Sequence, residues 1–223
     1  EISTFSYIKD ELNFEGNNSV EIKDVSFKYF LSDQYIFKDL DLTLPSNKHI
    51  VITGPNGSGK STLLGIIAGA LKPKTGTASV MSNNIGYVGV SPYIIPGTLR
   101  DNLLYGNGLK KSDEEIMELV DEFNLFSSND LSALDRTINR KSLSSGQLQK
   151  VSFMRTLLAE TDLLLLDEST SNLDDNSREK IFSILKNKKI TIINSTHNPY
   201  DFEYDIRIKI IEGKESLSSI QIF

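Results

Sequence analysis

The chain contains no cysteine and only two histidines, His49 and His197, among its 223 residues. The first absence excludes disulfides, thiolate zinc sites and a cysteine nucleophile. The second leaves little room for a histidine-based metal site. No apolar run approaches the ~18 residues needed to span a bilayer, and no basic-then-apolar secretory leader opens the chain. Basic residues are outnumbered, 24 Lys and Arg against 30 Asp and Glu, for a net charge of −6. That balance argues against nucleic acid as a partner, because phosphate binding usually shows as a basic face. What remains is an ordinary globular composition in a chain long enough to bury a sizeable core, most simply one domain with room for a subdomain. The chain opens at Glu1 rather than Met, as expected of a piece cut from something longer.

Residues 1–18 are weakly patterned and end in EGNN, just before Ser19, which reads as a linker or arm. SVEIKDVSFKYF and YIFKDLDLTLP then alternate apolar and polar residues, predicting two antiparallel strands, the second stopped by Pro45. HIVIT is a nearly continuous apolar strand, followed by a glycine loop and a helix from 61 to about 71 that Pro73 ends. Apolar spacing predicts further helices over 112–126, 145–160 and 174–186. LLLLDE and KITIIN read as strands buried on both faces of a parallel sheet, and the tail reads as a hairpin turning at Glu212 and Gly213. Strands alternating with helices imply an α/β core.

GPNGSGKS, residues 54–61, fits the pattern G-x-x-x-x-G-K-[ST], with a strand leading in and a helix leading out. Glycines let backbone N–H groups turn toward a polyphosphate, and the helix N-terminus adds its positive dipole end. Lys60 would reach the β- and γ-phosphates, and the Ser61 hydroxyl would ligate Mg2+. A Gly-rich turn with a chance Lys-Ser is the bland alternative, and the strand and helix on either side of it count against that.

Asp167 and Glu168 follow four leucines at the end of a predicted buried strand. Ligands of open parallel sheets lie at the carboxyl ends of the strands, so both carboxylates should emerge beside the phosphate loop. One suits Mg2+ through a coordinated water, and the other suits an attacking water. Acids in the first turn of a following helix would look the same. His197 also follows a buried strand, where an imidazole could meet a γ-phosphate and the water-activating carboxylate.

LSSGQLQK, residues 143–150, resembles the LSGGQ signature of ABC ATPases, with Ser145 for the first glycine of the pair. Ser144 and Gln147 form a capping box, which leaves helix N–H groups aimed at an anion. The resemblance covers nearly the whole chain from about residue 19. It implies a P-loop NTPase (RecA-like) α/β core with a mainly parallel sheet, an N-terminal antiparallel β subdomain, and an inserted helical subdomain at about 91–155. Residues 19–223 would form this ATPase domain, with 1–18 following transmembrane helices earlier in the same polypeptide. The implied ligands are ATP and Mg2+. Nucleotide contacts fall to Tyr29, Gly54, Pro55, Asn56, Gly57, Ser58, Gly59, Lys60, Ser61 and Thr62, with Tyr29 at the position of the family's adenine-stacking aromatic. Read without the resemblance, Tyr29 is a strand residue in a cross-strand pair.

The resemblance further implies that two copies pack head to tail, so that Ser144, Ser145, Gly146 and Gln147 meet the partner's nucleotide. SNLD, with Ser171 and Asp174, resembles the D-loop of the dimer interface. Lys60, Glu168 and His197 would be catalytic, and Ser61 and Asp167 would support the metal, Asp167 through water. The expected location is the cytoplasmic face of a membrane, within a transporter.

YVGVSPYIIPGTLRDNLLYG, residues 87–106, resembles a family segment reading Y-V-P-Q-x-P and then G-T-[IL]-R-x-N-[IL]. Its second half is a close match, most typical of exporter-type proteins. In the first half Val90 stands where the family has a glutamine that touches Mg2+ and the attacking water. The exporter G-E-x-G element has no counterpart in TINRKSLSSGQ. These departures lead to the expectation of a slow or differently regulated ATPase in an exporter or flippase. The alternatives are a separate subunit of an importer, a soluble ABC ATPase acting on ribosomes or DNA, and a non-hydrolysing partner in a heterodimer.

Overall fold

The structure, a computed structural model, describes residues 18–108, 110–126, 131–212 and 218–222. The expected arm therefore lies outside the described residues except for Asn18, and so does Gly213 of the expected hairpin turn. Strand β1 (Asn18–Phe27) pairs antiparallel with β2 (Phe37–Pro45), with Ile22 opposite Leu42. Val20, Ile22, Val25 and Phe27 are its buried apolar residues. The inward set skips one residue after Ile22 because the ladder is irregular there and Asp24 has φ 51°, the effect of a bulge on a period-two pattern. β1 ends at Phe27, so Tyr29 lies beyond the strand and is not in the cross-strand pair its sequence suggested. Strand β3 (His49–Thr53) carries HIVIT as expected. A third strand, β4 (Thr75–Val80), closes the N-terminal sheet against β1. Its TGTASV sequence carries one large apolar residue and is exposed or half-buried throughout, so no alternation announces it.

The main sheet has six strands in the order β11, β10, β3, β9, β8, β5. These are β5 (Ile85–Val88), β8 (Leu163–Asp167), β9 (Thr191–Ser195), β10 (Ile206–Glu212) and β11 (Ser218–Ile222) with β3. Every neighbouring pair is parallel except the β10–β11 hairpin. The four leucines of β8 split between the two faces. Leu163 and Leu165 join a core with helix α1 (Lys60–Ile67) and the N-terminal sheet, whereas Leu164 and Leu166 join the helical side. All four are fully buried, and each contributes roughly 1.5–3 kcal/mol relative to an exposed side chain.

Helix α1 stops at Ile67, earlier than Pro73 would require. Gly69, at φ 71°, reverses the chain, and the N–H groups of Gly69 and Leu71 donate to the carbonyls of Ile66 and Gly65. Glycine suits this left-handed helix end because it has no Cβ to clash. Helices α2 (Leu99–Leu103), α3 (Asp113–Glu122) and α4 (Ser145–Leu158) each begin with a complete capping box. Between β5 and β8 they pack with a short ribbon, β6 (Gly97–Thr98) with β7 (Thr137–Ile138). Helix α5 (Asp175–Lys186) returns the chain from β8 to β9.

Register places the chemistry. Ile52 lies opposite Ser195, and Ser195 opposite Asp167, so β3, β9 and β8 end along one edge of the sheet. The phosphate loop follows β3, Asp167 ends β8 with Glu168 next, and His197 lies two residues beyond β9.

Candidate active site

The phosphate loop wraps from the end of β3 into the first turn of α1. Gly59 is the pivot. Its φ of 103° is left-handed, and a Cβ there would stand 2.7 Å from Ile36 Cγ2 and 2.8 Å from Phe37 Cζ. Only glycine meets both demands. The next residue, Lys60, is buried, and its Nζ donates to the carbonyls of Gly54 (3.1 Å) and Pro55 (3.0 Å). The ammonium is thereby held inside the loop's curve, 3.8 Å from Glu168 Oε1.

Ser61 Oγ donates to Asp167 Oδ1 at 2.9 Å, which joins the start of α1 to the end of β8. Glu168 has φ 48°, an uncommon conformation for a non-glycine residue. It is kept by the sheet: its N–H donates to the Ser195 carbonyl, and its own carbonyl accepts from the Ser171 hydroxyl at 3.0 Å. His197 Nε2 lies 2.8 Å from Glu168 Oε1. An open cleft runs from Tyr29 and Ile36 over the loop to Glu168. On the other side of Glu168 a second cleft is lined by Ser171, Arg178, Thr196 and His197.

Tyr29 is half exposed beside α1, its hydroxyl 3.0 Å from Thr62 Oγ1 and its ring edge-on to Phe27. Asn56 and Gly57 line the same cleft, and Ser58 is buried beneath the loop. Tyr29, part of the phosphate loop and Glu168 thus line one cleft, Asp167 is joined to it through Ser61, and His197 lines the second cleft, which shares Glu168.

Ser144, Ser145, Gly146 and Gln147 open α4, with Ser144 and Ser145 exposed. No hydrogen bond among the described residues joins these four to the phosphate loop. The Gln147 side chain is engaged within its own chain: Oε1 accepts from the Ser144 N–H, and Nε2 donates to the Leu125 carbonyl at 2.9 Å. Asp174 caps α5, accepting from the Ser177 N–H and hydroxyl, and these bonds lower its pKa.

Sequence reasoning missed three polar anchors around Val90. Buried Gln149, on α4, donates from Nε2 to the Gly89 carbonyl at 3.0 Å. Asn172 donates from Nδ2 to the Val90 carbonyl at 3.3 Å. Tyr87 donates its phenol to Asp167 Oδ2 at 2.8 Å. Burial first, then the bond to Asp167, raises the Tyr87 pKa, so the phenol stays protonated and remains a donor. No sequence signal points to Tyr87, because only the folded sheet makes it the register partner of Leu165, with Asp167 two residues further along the same face. Val90 itself is exposed.

A glycine loop between a buried parallel strand and a helix, facing an Asp-Glu pair on a nearby strand, defines a P-loop nucleotide-binding fold. The chain belongs to the ABC transporter family and has the ABC ATPase fold: residues 37–171 match the family profile described as "ABC transporter". It is 34% identical over 208 residues to the ATP-dependent permease MDL1 of Candida albicans, covering 82% of this chain and 30% of that protein. It is 30% identical over 233 residues to the lactococcin-A transport/processing ATP-binding protein LcnC of Lactococcus lactis, covering 97% of this chain and 32% of that one. The nickel import system ATP-binding protein NikE of Staphylococcus aureus is 32% identical over 182 residues, 78% of this chain and 76% of NikE. The fold resembles that of a bacterial Atm1-family ABC exporter with ATP bound, at TM-score 0.79 and 22% identity, over 91% of this chain and 38% of that one. The chain thus spans about a third of the length of MDL1 and LcnC. Among the described residues no helix is long and apolar enough to cross a membrane.

Proposed function

We propose that the chain binds ATP with Mg2+ and hydrolyses it to power a transporter of exporter or flippase type. The observation that carries this is the continuous polar chain from Ser61 through Asp167, beside Lys60, Glu168 and His197, at the mouth of the phosphate loop. The Ser61 hydroxyl and the Asp167 carboxylate are hard oxygen donors of the kind Mg2+ takes, with water and phosphate oxygens completing its shell. Among the described residues no cluster of three or more His, Cys, Asp or Glu side chains could hold a metal, so this pair fits a nucleotide-borne ion. When bound, ATP supplies the phosphoanhydride bond and Mg2+ offsets charge on its phosphate oxygens.

The chain's own residues do the rest. Backbone N–H groups of the glycine loop and the α1 N-terminus face the phosphates, Lys60 moves from its carbonyls to phosphate oxygens, and Tyr29 stacks on the base. Glu168 orients the attacking water and accepts its proton at Oε1 or Oε2. His197 holds Glu168 through Nε2. Ser144, Ser145, Gly146 and Gln147 meet the nucleotide of a second ATPase domain, and Ser171 and Asp174 lie at that interface. Transmembrane domains are the other partner, which puts the domain at the cytoplasmic face of a membrane. The exporter reading is supported by the GTLRDNLLYG segment and by the likeness to MDL1 and LcnC, while NikE keeps an importer subunit as its alternative. Val90 favours a second reading, a slow partner in a heterodimer.

Phosphate release from purified protein tests the hydrolytic assignment. Glu168→Gln is expected to keep ATP binding and to lose at least a hundredfold in turnover, the weight of a general base. Unchanged turnover would refute the role of Glu168.

A further inference from the structure

Asp167 is held from two sides by hydroxyls that belong to different elements. Oδ1 accepts from Ser61, at the start of α1, and Oδ2 accepts from Tyr87, in the edge strand β5. Asp167 as a whole is 8% exposed, so solvent has little access with which to replace either donor. Tyr87 is 43% exposed, so packing alone does not explain its position. The parallel register sets Tyr87 beside Leu165, and its hydroxyl reaches along the sheet to the residue two positions on, a span of ~6.6 Å. Without such a bond an aspartate turns easily about χ2, whose minimum is broad and two-fold. With both donors in place its plane is set, and Oδ1 stays turned toward Ser61.

We propose that Tyr87 is a positioning residue for the metal site: its phenol fixes Asp167 in the orientation that supports Mg2+ on the bound nucleotide. This rests on the Mg2+ reading above. Tyr87 touches neither nucleotide nor metal. It acts through Asp167, and hydrogen-bonded partners of metal-supporting carboxylates commonly change metal affinity tenfold or more.

The test measures ATP affinity of the Glu168→Gln protein by fluorescent-nucleotide displacement, in EDTA and in saturating Mg2+, with and without Tyr87→Phe. The ratio of the two affinities is the Mg2+ contribution. Tyr87→Phe is expected to leave affinity in EDTA and the thermal midpoint unchanged and to cut the Mg2+ contribution about tenfold. Manganese titration followed by electron paramagnetic resonance should show the same loss of metal affinity at fixed ATP. An unchanged Mg2+ contribution would overturn the role of Tyr87 and leave the metal reading standing. A Glu168→Gln protein in which Mg2+ adds nothing to ATP binding would overturn both. A lowered midpoint with equal losses in EDTA and in Mg2+ would mark a structural residue and also overturn the proposal. Tyr87→Leu, read the same way, guards against a fold defect peculiar to the first variant.

Discussion

His197 Nε2 lies 2.8 Å from Glu168 Oε1, and the histidine side chain is half exposed while the glutamate is less so. The imidazole therefore restrains Glu168 without occupying the protein core. His197→Ala is expected to reduce kcat about a hundredfold, leave the KM for ATP within a factor of about three, and change stability by under about 0.5 kcal/mol. Steady-state kinetics beside thermal unfolding checks this, and a KM that rises with kcat unchanged would assign His197 to binding instead.

Gly59 couples fold and site at one position. Its left-handed φ and the contacts a methyl would make with Ile36 and Phe37 act together. Gly59→Ala is expected to cost about 1–3 kcal/mol in stability and to abolish measurable ATP binding, because Lys60 and Ser61 follow directly. Gly57 also has positive φ, at 80°, but nothing lies within 4 Å of its Cβ position. Gly57→Ala is the milder control. Equal losses in the two variants would show that φ, not the contact with β2, sets the requirement.

His49, at the opposite end of β3 from the phosphate loop, makes a pH prediction. Burial against Phe202 lowers its pKa below 6.5, opposed by Asp205, and Lys186 lowers it further. Between the folded pKa and about 6.5 the unfolded chain holds more protons than the folded one. Stability is thus full above about pH 6.5 and falls as pH drops through that window. Asp205, whose pKa is lowered chiefly by the His49 N–H, adds its own loss only below about pH 4. Thermal midpoints from pH 8 to 5 should fall less in His49→Gln than in the parent. Parallel curves would remove His49 as the cause.

The parts of the fold legible in the sequence were those with a strong period or a fixed spacing. The β8 leucines and HIVIT announced a buried parallel sheet, and residues 54–61 announced the phosphate loop between HIVIT and the helix that follows it. β4 was not legible, because a strand with one exposed or half-buried edge needs few large apolar residues. Gly69 ends α1 before Pro73 does, since a left-handed glycine ends a helix as firmly as proline and leaves a weaker mark in the sequence. At the site, residues adjacent to motifs could be placed from the motifs. Tyr87, Gln149 and Asn172 could not, because each acts across 60 to 82 positions of sequence and only the sheet register and the α4 packing bring them in.

Val90 is where sequence and structure pose the sharpest experimental question. Three residues before it, Tyr87 reaches Asp167, and the Val90 carbonyl is held by Asn172. The backbone is thus anchored on both sides of an exposed valine whose side chain can neither donate nor accept. Val90→Gln adds an amide at that point without disturbing the core, so stability should stay within about 0.5 kcal/mol. If the segment lacks one polar contact with the nucleotide's metal or water, the variant should hydrolyse ATP several-fold faster and reach half-maximal rate at lower Mg2+. A Mg2+ titration of steady-state ATPase in parent and Val90→Gln reads both effects. Identical rates and identical Mg2+ curves would mean that Tyr87, Gln149 and Asn172 already suffice, and that the valine is a neutral replacement.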